Sequence, residues 1–301
     1  MSKHNELLTS EDLKRPARRV RWRVRAAVEN VRGPKAVYFL VALTVTLLFF
    51  FPFYWLLKIA MTWPTQTLYG SAPSLSFPSP EIYNFVRVFF AIDFLQFLEN
   101  SVIITLMAVG GTVIINSLAG YALRLDFYGK RVVLLSLVAA LFVPTFVSIL
   151  PLYLISDQLG VLNTHLGVAL PMMAGIVGTL IFKNSFEAVP DSTIESARLD
   201  GATELYIIFG VLWPLSKAAI AVNVILTFIA AWNAYLWPLV IISDRAMYPL
   251  PLALATFTNR FQGNFAVAYA FALLVLLPAI VVFVLLQRQF IGSVVYSTLK
   301  E

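Results

Sequence analysis

Apolar residues dominate this chain, and the few places where polar residues gather mark out its plan. Six apolar runs, at about 37–57, 100–123, 132–155, 166–183, 216–242 and 267–287, are separated by shorter polar stretches. Each approaches the ~20 residues that an α-helix needs to cross a ~30 Å hydrocarbon core, so the pattern predicts an all-α integral membrane protein with six transmembrane helices. Pro52 lies inside the first run, where a membrane helix accommodates proline as a kink. Lys58 snorkels from the end of that run, and Trp55 and Trp63 suit interface anchors. Pro144 and Pro151 in the third run, with Gly167, Gly175 and Gly178 in the fourth, read as kinks and close helix contacts. The fourth helix begins at Pro171 if proline is placed at a helix start.

The polar stretch 190–214, PDSTIESARLDGATELYIIFGVLWP, is a charge-bearing island between two long apolar runs. Ser192 and Glu195 stand in the S-x-x-E relation of a capping box, which predicts a helix beginning at Ser192. Gly201 ends or bends that helix after about two turns, because glycine takes a left-handed terminus without a Cβ penalty. A second helix restarts near Thr203 and climbs into the next apolar run, with Pro214 close to where membrane begins. Short helix, glycine corner and returning helix together predict a rigid knob outside the bilayer; the plainer alternative is an ordinary hairpin loop. On the opposite side, 62–99 starts extended, and its segment VRVFFAIDFLQFL has the amphipathic pattern of a helix lying on the interface. Residues 156–165 form a short turn, and 243–266 a longer loop mixing aromatics and amides.

Charge orients this plan. Arg124, Lys130, Arg131, Lys183, Arg198, Lys217, Arg288, Lys300 and the basic stretch 1–35 fall on one side, against Lys58, Arg87, Arg245 and Arg260 on the other. The positive-inside bias makes the rich side cytoplasmic, together with both termini and the 184–215 loop. The chain divides on this reading into a basic cytoplasmic tail, 1–35, and a transmembrane domain, 36–301. The tail carries no apolar core with a small-residue cleavage site, so it is read as solvated or bound to lipid headgroups. Its charge also accounts for a pI near 9.5 without invoking nucleic acid. With 59% hydrophobic and 13% charged residues and a mean hydropathy of +0.81, no soluble class fits.

Candidate chemistry is scarce. There is no cysteine, and the two histidines, His4 and His165, lie in the tail and an outer turn, so no thiolate or H-E-x-x-H metal site is expected. No G-x-S-x-G elbow and no G-x-x-x-x-G-K-[ST] phosphate loop occurs, so neither catalysis nor nucleotide binding by this chain is expected. The apolar runs are nearly free of charge, which argues against proton- or sodium-coupled transport. What they do carry is neutral polar and aromatic groups, concentrated in the fifth run at Asn223, Thr227, Trp232, Asn233 and Tyr235. Aromatic faces and amides suit the C–H surface and hydroxyls of an uncharged polar solute. The same residues equally suit interfacial anchoring and hydrogen bonds between helices.

Glu195-Ser196-Ala197, three residues, Gly201, nine residues and then Val211-Leu212-Trp213-Pro214 resembles the E-A-A-x3-G-x9-I-x-L-P loop of ABC importer permeases. Ser196, Val211 and Trp213 depart from it. The Arg198-Leu199-Asp200-Gly201-Ala202 filling, the Trp232-Asn233 pair with Leu236-Trp237-Pro238-Leu239, and the closing Gln287-Arg288-Gln289-Phe290-Ile291-Gly292 are similar to the carbohydrate-uptake, maltose-permease-like branch. The resemblance implies a type I importer permease fold in a bacterial or archaeal inner membrane. It implies as partners a companion permease subunit, two ATPase subunits that bind ATP and Mg, an extracytoplasmic solute-binding protein and membrane lipid. It also implies that Glu195, Ser196, Ala197, Arg198, Asp200, Gly201 and Pro214 form the coupling loop that docks on the ATPase, and it suggests a sugar or oligosaccharide as solute. An amino acid, a peptide or a polyol phosphate stays open as the solute, and an ATP-independent carrier or channel as the class.

Overall fold

A computed structural model describes residues 35–62, 80–260 and 265–297, with side chains described at 36–62, 80–257 and 265–285. The basic tail to residue 34, the extended start of the outer loop at 63–79 with Trp63, and residues 298–301 lie outside the described residues; Gln287 to Gly292 are described in backbone only. Every regular element among the described residues is helical. The chain falls into two units, one ending at Trp55 and one starting at Leu56. Helix α1, Lys35–Ala60, belongs mostly to the first; it is apolar all round and carries Pro52 inside. A helix without a polar face is suited to lipid and not to a water interface.

In the second unit, α2 (Tyr83–Ala91) precedes the long α3 (Phe94–Arg124), α4 (Lys130–Ala140) and α5 (Thr145–Gln158). Then come α6 (His165–Ala169), extended by a 3-10 turn at Leu170–Met172, and α7 (Ile176–Glu187). The polar island folds as α8 (Asp191–Leu199) and α9 (Glu204–Leu215). The chain continues through α10 (Lys217–Trp232), α11 (Leu236–Ile241), α12 (Leu250–Arg260) and α13 (Phe265–Ser297).

Among the described residues, α1, α3 and α13 are the single helices long and apolar enough to cross a membrane. The other candidate spans are bent pairs: α4 with α5 at 107°, α6 and its 3-10 turn with α7 at 50°, and α9 with α10 at 89°. The first of these angles is far sharper than the kink expected at Pro144, and the last falls where no kink was expected. At the first break Pro144 takes an extended ψ of 133° and caps α5; proline lacks the N–H and pushes its predecessor out of the helical region. At the second, Pro171 sits in the 3-10 turn instead of starting a span, and Gly175 is extended at φ −129° before α7. At the third, Ser216 leaves helical geometry two residues after Pro214. The fifth run is also no single helix: α10 stops at Trp232, Asn233 caps it, and Leu236–Ile241 forms a separate short piece.

The expected interfacial helix is shorter than its amphipathic pattern. It ends at Ala91, Ile92 is extended, and Phe94 already opens α3. Phe94 and Phe97 are buried, so burial of these rings draws the FLQFL segment into the bundle. Asn84 is fully buried, and its Nδ2 donates to the carbonyls of Ala60 and Thr62 at 2.9 Å each. One amide thus satisfies two carbonyls that the end of α1 leaves open.

The helices pack around α3, with α7 and α10 as its main neighbours. Three apolar clusters follow one another along it. The N-terminal end meets Trp232, Leu250, Phe257 and Phe271; the middle meets Val168, Ala169 and Ile241; the C-terminal end meets Phe182, Phe186, Ile194, Ile207 and Leu212.

Candidate functional site

The polar island is built by local backbone chemistry and then pinned by tertiary contacts. Helix α8 starts at Asp191, one residue before the expected start, with Pro190 as its cap and no side-chain cap bond. The Ser192–Glu195 capping box is therefore not formed. Pro190, at ψ 138°, turns the chain so that Asp191 is the first helical residue, leaving Ser192 inside the first turn. A helical Ser192 cannot serve as the non-helical cap residue, and its carbonyl instead accepts from Ser196 Oγ at 2.7 Å. Asp191 places a carboxylate where the helix dipole favours one.

The far end forms as expected. Gly201 is left-handed at φ 83°. Its N–H donates to Arg198 O and the Ala202 N–H to Ala197 O, both at 3.0 Å, the paired bonds of a Schellman motif. Thr203 then caps α9, its Oγ1 accepting from the Tyr206 N–H at 3.3 Å. Residues Ile207–Leu212 widen into a π turn. In a regular α-helix the ring of Pro214 crowds the Gly210 carbonyl, and the wider turn removes that contact. Trp213, which departs from the family pattern, packs edge-on against Phe209 with centroids 4.8 Å apart.

One face of α8 is buried through Ile194, at 3% exposure, with Ala197 half-buried. The other presents Glu195, Ser196, Leu199 and Asp200, and Leu199 is 89% exposed. Arg198 turns back into its own chain. Its Nε and Nη2 donate to the two carboxylate oxygens of Glu204 at 2.9 and 3.1 Å, and Nη2 also reaches the Tyr121 hydroxyl at 3.1 Å. The Tyr121 O–H donates to Glu204 Oε2. The Arg198 guanidinium, and after it the Tyr121 hydroxyl, hold the Glu204 carboxyl below its ordinary range. Arg198 is held above its own ordinary value, chiefly by the bond to Glu204. At the other end of α8, Arg124 Nη2 donates to Val189 O at 2.8 Å and to Asp191 Oδ1 at 2.7 Å. Tyr121 and Glu204 belong to no pattern in the sequence, and Arg124 entered only as one of the cytoplasmic-side charges; their pairing with the island is visible only once α3 lies beside it.

Toward the middle of α3 a second polar group is assembled. Asn116 is buried, and its Nδ2 donates to Thr112 Oγ1 at 2.8 Å and Asn223 Oδ1 at 3.3 Å. Its Oδ1 accepts from the Gly175 N–H at 2.9 Å and Thr179 Oγ1 at 3.3 Å. Asn223 Nδ2 completes the set with Ala219 O at 3.1 Å and Gly178 O at 3.4 Å. A Cβ on Gly178 would collide with Asn116 Nδ2 and Asn223 Oδ1, so only glycine leaves room for the amide pair. Beside this group lies a cavity of about 230 Å³, lined among others by Thr112, Asn116, Gly175, Gly178, Asn223 and Thr227, with no charged residue in its wall.

Of the five candidate solute residues, the structure brings Asn223 and Thr227 to this cavity and not the other three. Trp232 is 3% exposed, stacks on Phe228 and donates its indole N–H to Val275 O at 3.1 Å. Asn233 is exposed at the end of α10, its Nδ2 donating to Ile229 O at 2.8 Å, and Tyr235 is exposed just before α11. Asn116 and Thr112, which sequence reading left as part of an apolar run, are the residues it missed.

Bent apolar helices thus surround an uncharged, largely apolar cavity with a few neutral polar groups in its wall. The chain belongs to the family of binding-protein-dependent transport system inner membrane components, which matches residues 113–294 and so takes in the polar island and all of the cavity lining but Thr112. It is 27% identical over 278 residues to the arabinooligosaccharides transport system permease protein AraQ of Bacillus subtilis, covering 89% of this chain and 98% of that protein. It is 29% identical over 280 residues to the sn-glycerol-3-phosphate transport system permease protein UgpE of Yersinia pestis bv. Antiqua, covering 90% and 99%. Its fold is that of a chain in the crystal structure of a bacterial ABC transporter involved in the import of the acidic polysaccharide alginate, with a TM-score of 0.74 and 22% identity over 84% of this chain and 95% of that one.

Proposed function

We propose that this chain is one of two permease subunits of an ATP-driven, binding-protein-dependent importer for a sugar or oligosaccharide in a bacterial or archaeal inner membrane. The observation that carries the solute class is a cavity with no charged residue in its wall, largely apolar and with Thr112, Asn116, Asn223 and Thr227 as its polar side chains. Neutral donors and acceptors match hydroxyl groups, whereas an anionic solute calls for a charge-assisted partner. AraQ, by its name, transports an arabinose oligosaccharide, which supports the same reading. The name of UgpE favours a polyol phosphate instead, and the absence of Lys or Arg from the cavity lining argues against that second reading.

On this proposal residues 36–301 form the permease domain with six spans, the third and fourth bent and the fifth broken after Trp232, and 1–35 form a basic tail at the cytoplasmic lipid surface. Both termini and the loop 184–215 face the cytoplasm, as the lysine and arginine distribution requires. The chain has no catalytic role; two partner ATPase subunits bind ATP and Mg, and an extracytoplasmic solute-binding protein delivers the solute. Helix α8 seats in a groove of the ATPase through Leu199 as apolar anchor, with Glu195, Ser196 and Asp200 around it, the helix-in-groove mode of recognition. ATP binding then favours one conformation of the spans because the ATPase pair holds the two conformations with different free energies.

Purifying the complex from native membrane through a tag on this chain, then reconstituting it in liposomes, tests the proposal. The expected result is co-purification of an ATPase and a second permease, with ATP-driven uptake of a neutral saccharide. Uptake without nucleotide, or of glycerol 3-phosphate in preference to any saccharide, overturns it. Two variants sharpen the test. Glu195→Ala is expected to leave the chain inserted and to cut coupled uptake about tenfold or more, the loss of one charge-assisted docking contact. Unchanged uptake and ATPase stimulation would remove Glu195 from the docking face. Thr227 is half-buried in the cavity wall, and Thr227→Val is expected to raise the uptake KM about fivefold with kcat unchanged, the signature of one lost hydrogen bond to bound solute.

A further inference from the structure

Both ends of α8 are tied to α3, the N-terminal end directly and the C-terminal end through a hydroxyl shared with Glu204 of the following helix α9. Arg124 holds the N-terminal end through Val189 O and Asp191, and its side chain is only 8% exposed. Tyr121, 5% exposed, holds the C-terminal corner through Arg198 and Glu204, which flank Gly201 on either side. Tyr121 and Arg124 are three residues apart, so they share a face of the last turn of α3. Between them Ile194 packs into the cluster that holds Tyr121, Phe182 and Phe186. By contrast α9 is separated from α10 by an 89° break, which transmits an axial push poorly. Asn116 lies five residues up α3 from Tyr121, about 7.5 Å along the axis at 1.5 Å per residue.

We infer that Tyr121 and Arg124 are positioning residues for coupling: they clamp α8 to α3, so that displacement of α8 is delivered through α3 to the Asn116 hub at the cavity. The inference rests on the proposed function and adds the route of transmission. It also reassigns Arg198, whose guanidinium closes the clamp inside this chain, while Glu195 and Leu199 of the same helix are turned outward.

The test uses the whole reconstituted complex and reads solute molecules transported per ATP hydrolysed. Tyr121→Phe removes one hydroxyl and leaves the ring in its cluster and the Arg198–Glu204 pair in place. The expected result is normal ATPase co-purification and an unchanged KM for ATP, with transport per ATP lowered about fivefold or more, the usual scale of a coupling contact. Adding Arg124→Gln to Tyr121→Phe should lower it further, because the second tie is separate. Arg124→Lys, which keeps the charge without the fork, should restore part of what Arg124→Gln loses. Wild-type transport per ATP in Tyr121→Phe and Arg124→Gln overturns the clamp while leaving the proposed function standing. A loss matched by loss of the ATPase from the complex, or by a changed KM for ATP, also overturns it, because the residues then shape the docking surface instead of transmitting motion. A wild-type complex without ATP-driven uptake brings down the clamp and the proposed function together.

Discussion

Replacing Gly201 by proline is expected to abolish ATP-coupled uptake while the chain remains inserted in the membrane. The position requires φ 83°, and the proline ring fixes φ near −65°. The substitution also removes the N–H that donates to Arg198 O at 3.0 Å, so the Schellman corner loses one of its two bonds. Arg198 and Glu204 stand on either side of that corner, and re-aiming it separates them. The apolar spans are untouched, which is why insertion survives. Gly201→Ala separates the two costs. A Cβ there has open space, with nothing within 4 Å, so alanine pays only for the left-handed backbone, about 1–2 kcal/mol. Proline adds a broken bond and a forbidden dihedral, about 3 kcal/mol or more. The graded outcome is partial uptake for alanine and none for proline, measured as ATP-dependent accumulation in proteoliposomes against the amount of protein in the membrane fraction. A proline variant that transports at the wild-type rate would show that the corner has no part in coupling.

The second large effect is expected at the amide hub. Gly178→Val drives a Cβ into Asn116 Nδ2 and Asn223 Oδ1, while Gly175→Ala, three residues earlier, brings a Cβ to an ordinary 3.6 Å from Asn116 Nδ2. Overpacking of this kind costs about 1–3 kcal/mol. Breaking the Asn116 set also strands the Gly175 N–H and Thr179 Oγ1, and such bonds in membrane bundles are each worth about 0.6 kcal/mol on average. Gly178→Val should therefore lower the unfolding midpoint of the detergent-purified protein and remove uptake, with Gly175→Ala close to wild type in both. Equal behaviour of the two variants would mean that the α3–α7–α10 contact tolerates displacement and that the amide pair does not set it.

The features legible in sequence were those decided within a few residues of themselves. The Gly201 corner and the helix restart near Thr203 both formed where the chain implied them, because glycine at positive φ is a local fact and so is the threonine oxygen that the structure places over the new first turn. The Ser192–Glu195 pair was equally local and still misled, because the ψ of Pro190 started the helix one residue earlier. A proline kink was visible at Pro144, while Pro171 was read as a helix start and Pro214 as the membrane edge, and the bends of 107°, 50° and 89° were not visible. A missing N–H says only that a helix is interrupted, and neighbouring helices decide how far it turns.

What the sequence alone determined is residence in a membrane and the placing of the polar island. Runs of about 20 apolar residues have one favourable solvent, and their backbone must be helical there to satisfy its own hydrogen bonds. What only the tertiary structure decided is which scattered polar side chains meet. Tyr121 and Glu204 are 83 residues apart, Arg124 and Asp191 67, and Asn116 and Asn223 107. No periodicity reports such pairings, because a side chain in an apolar run carries the same local signal whether it faces lipid, a neighbouring helix or a cavity. Packing around α3 made that choice, by bringing helices close enough that the buried amides of Asn116 and Asn223 and the exposed carboxylates of Asp191 and Glu204 found these partners.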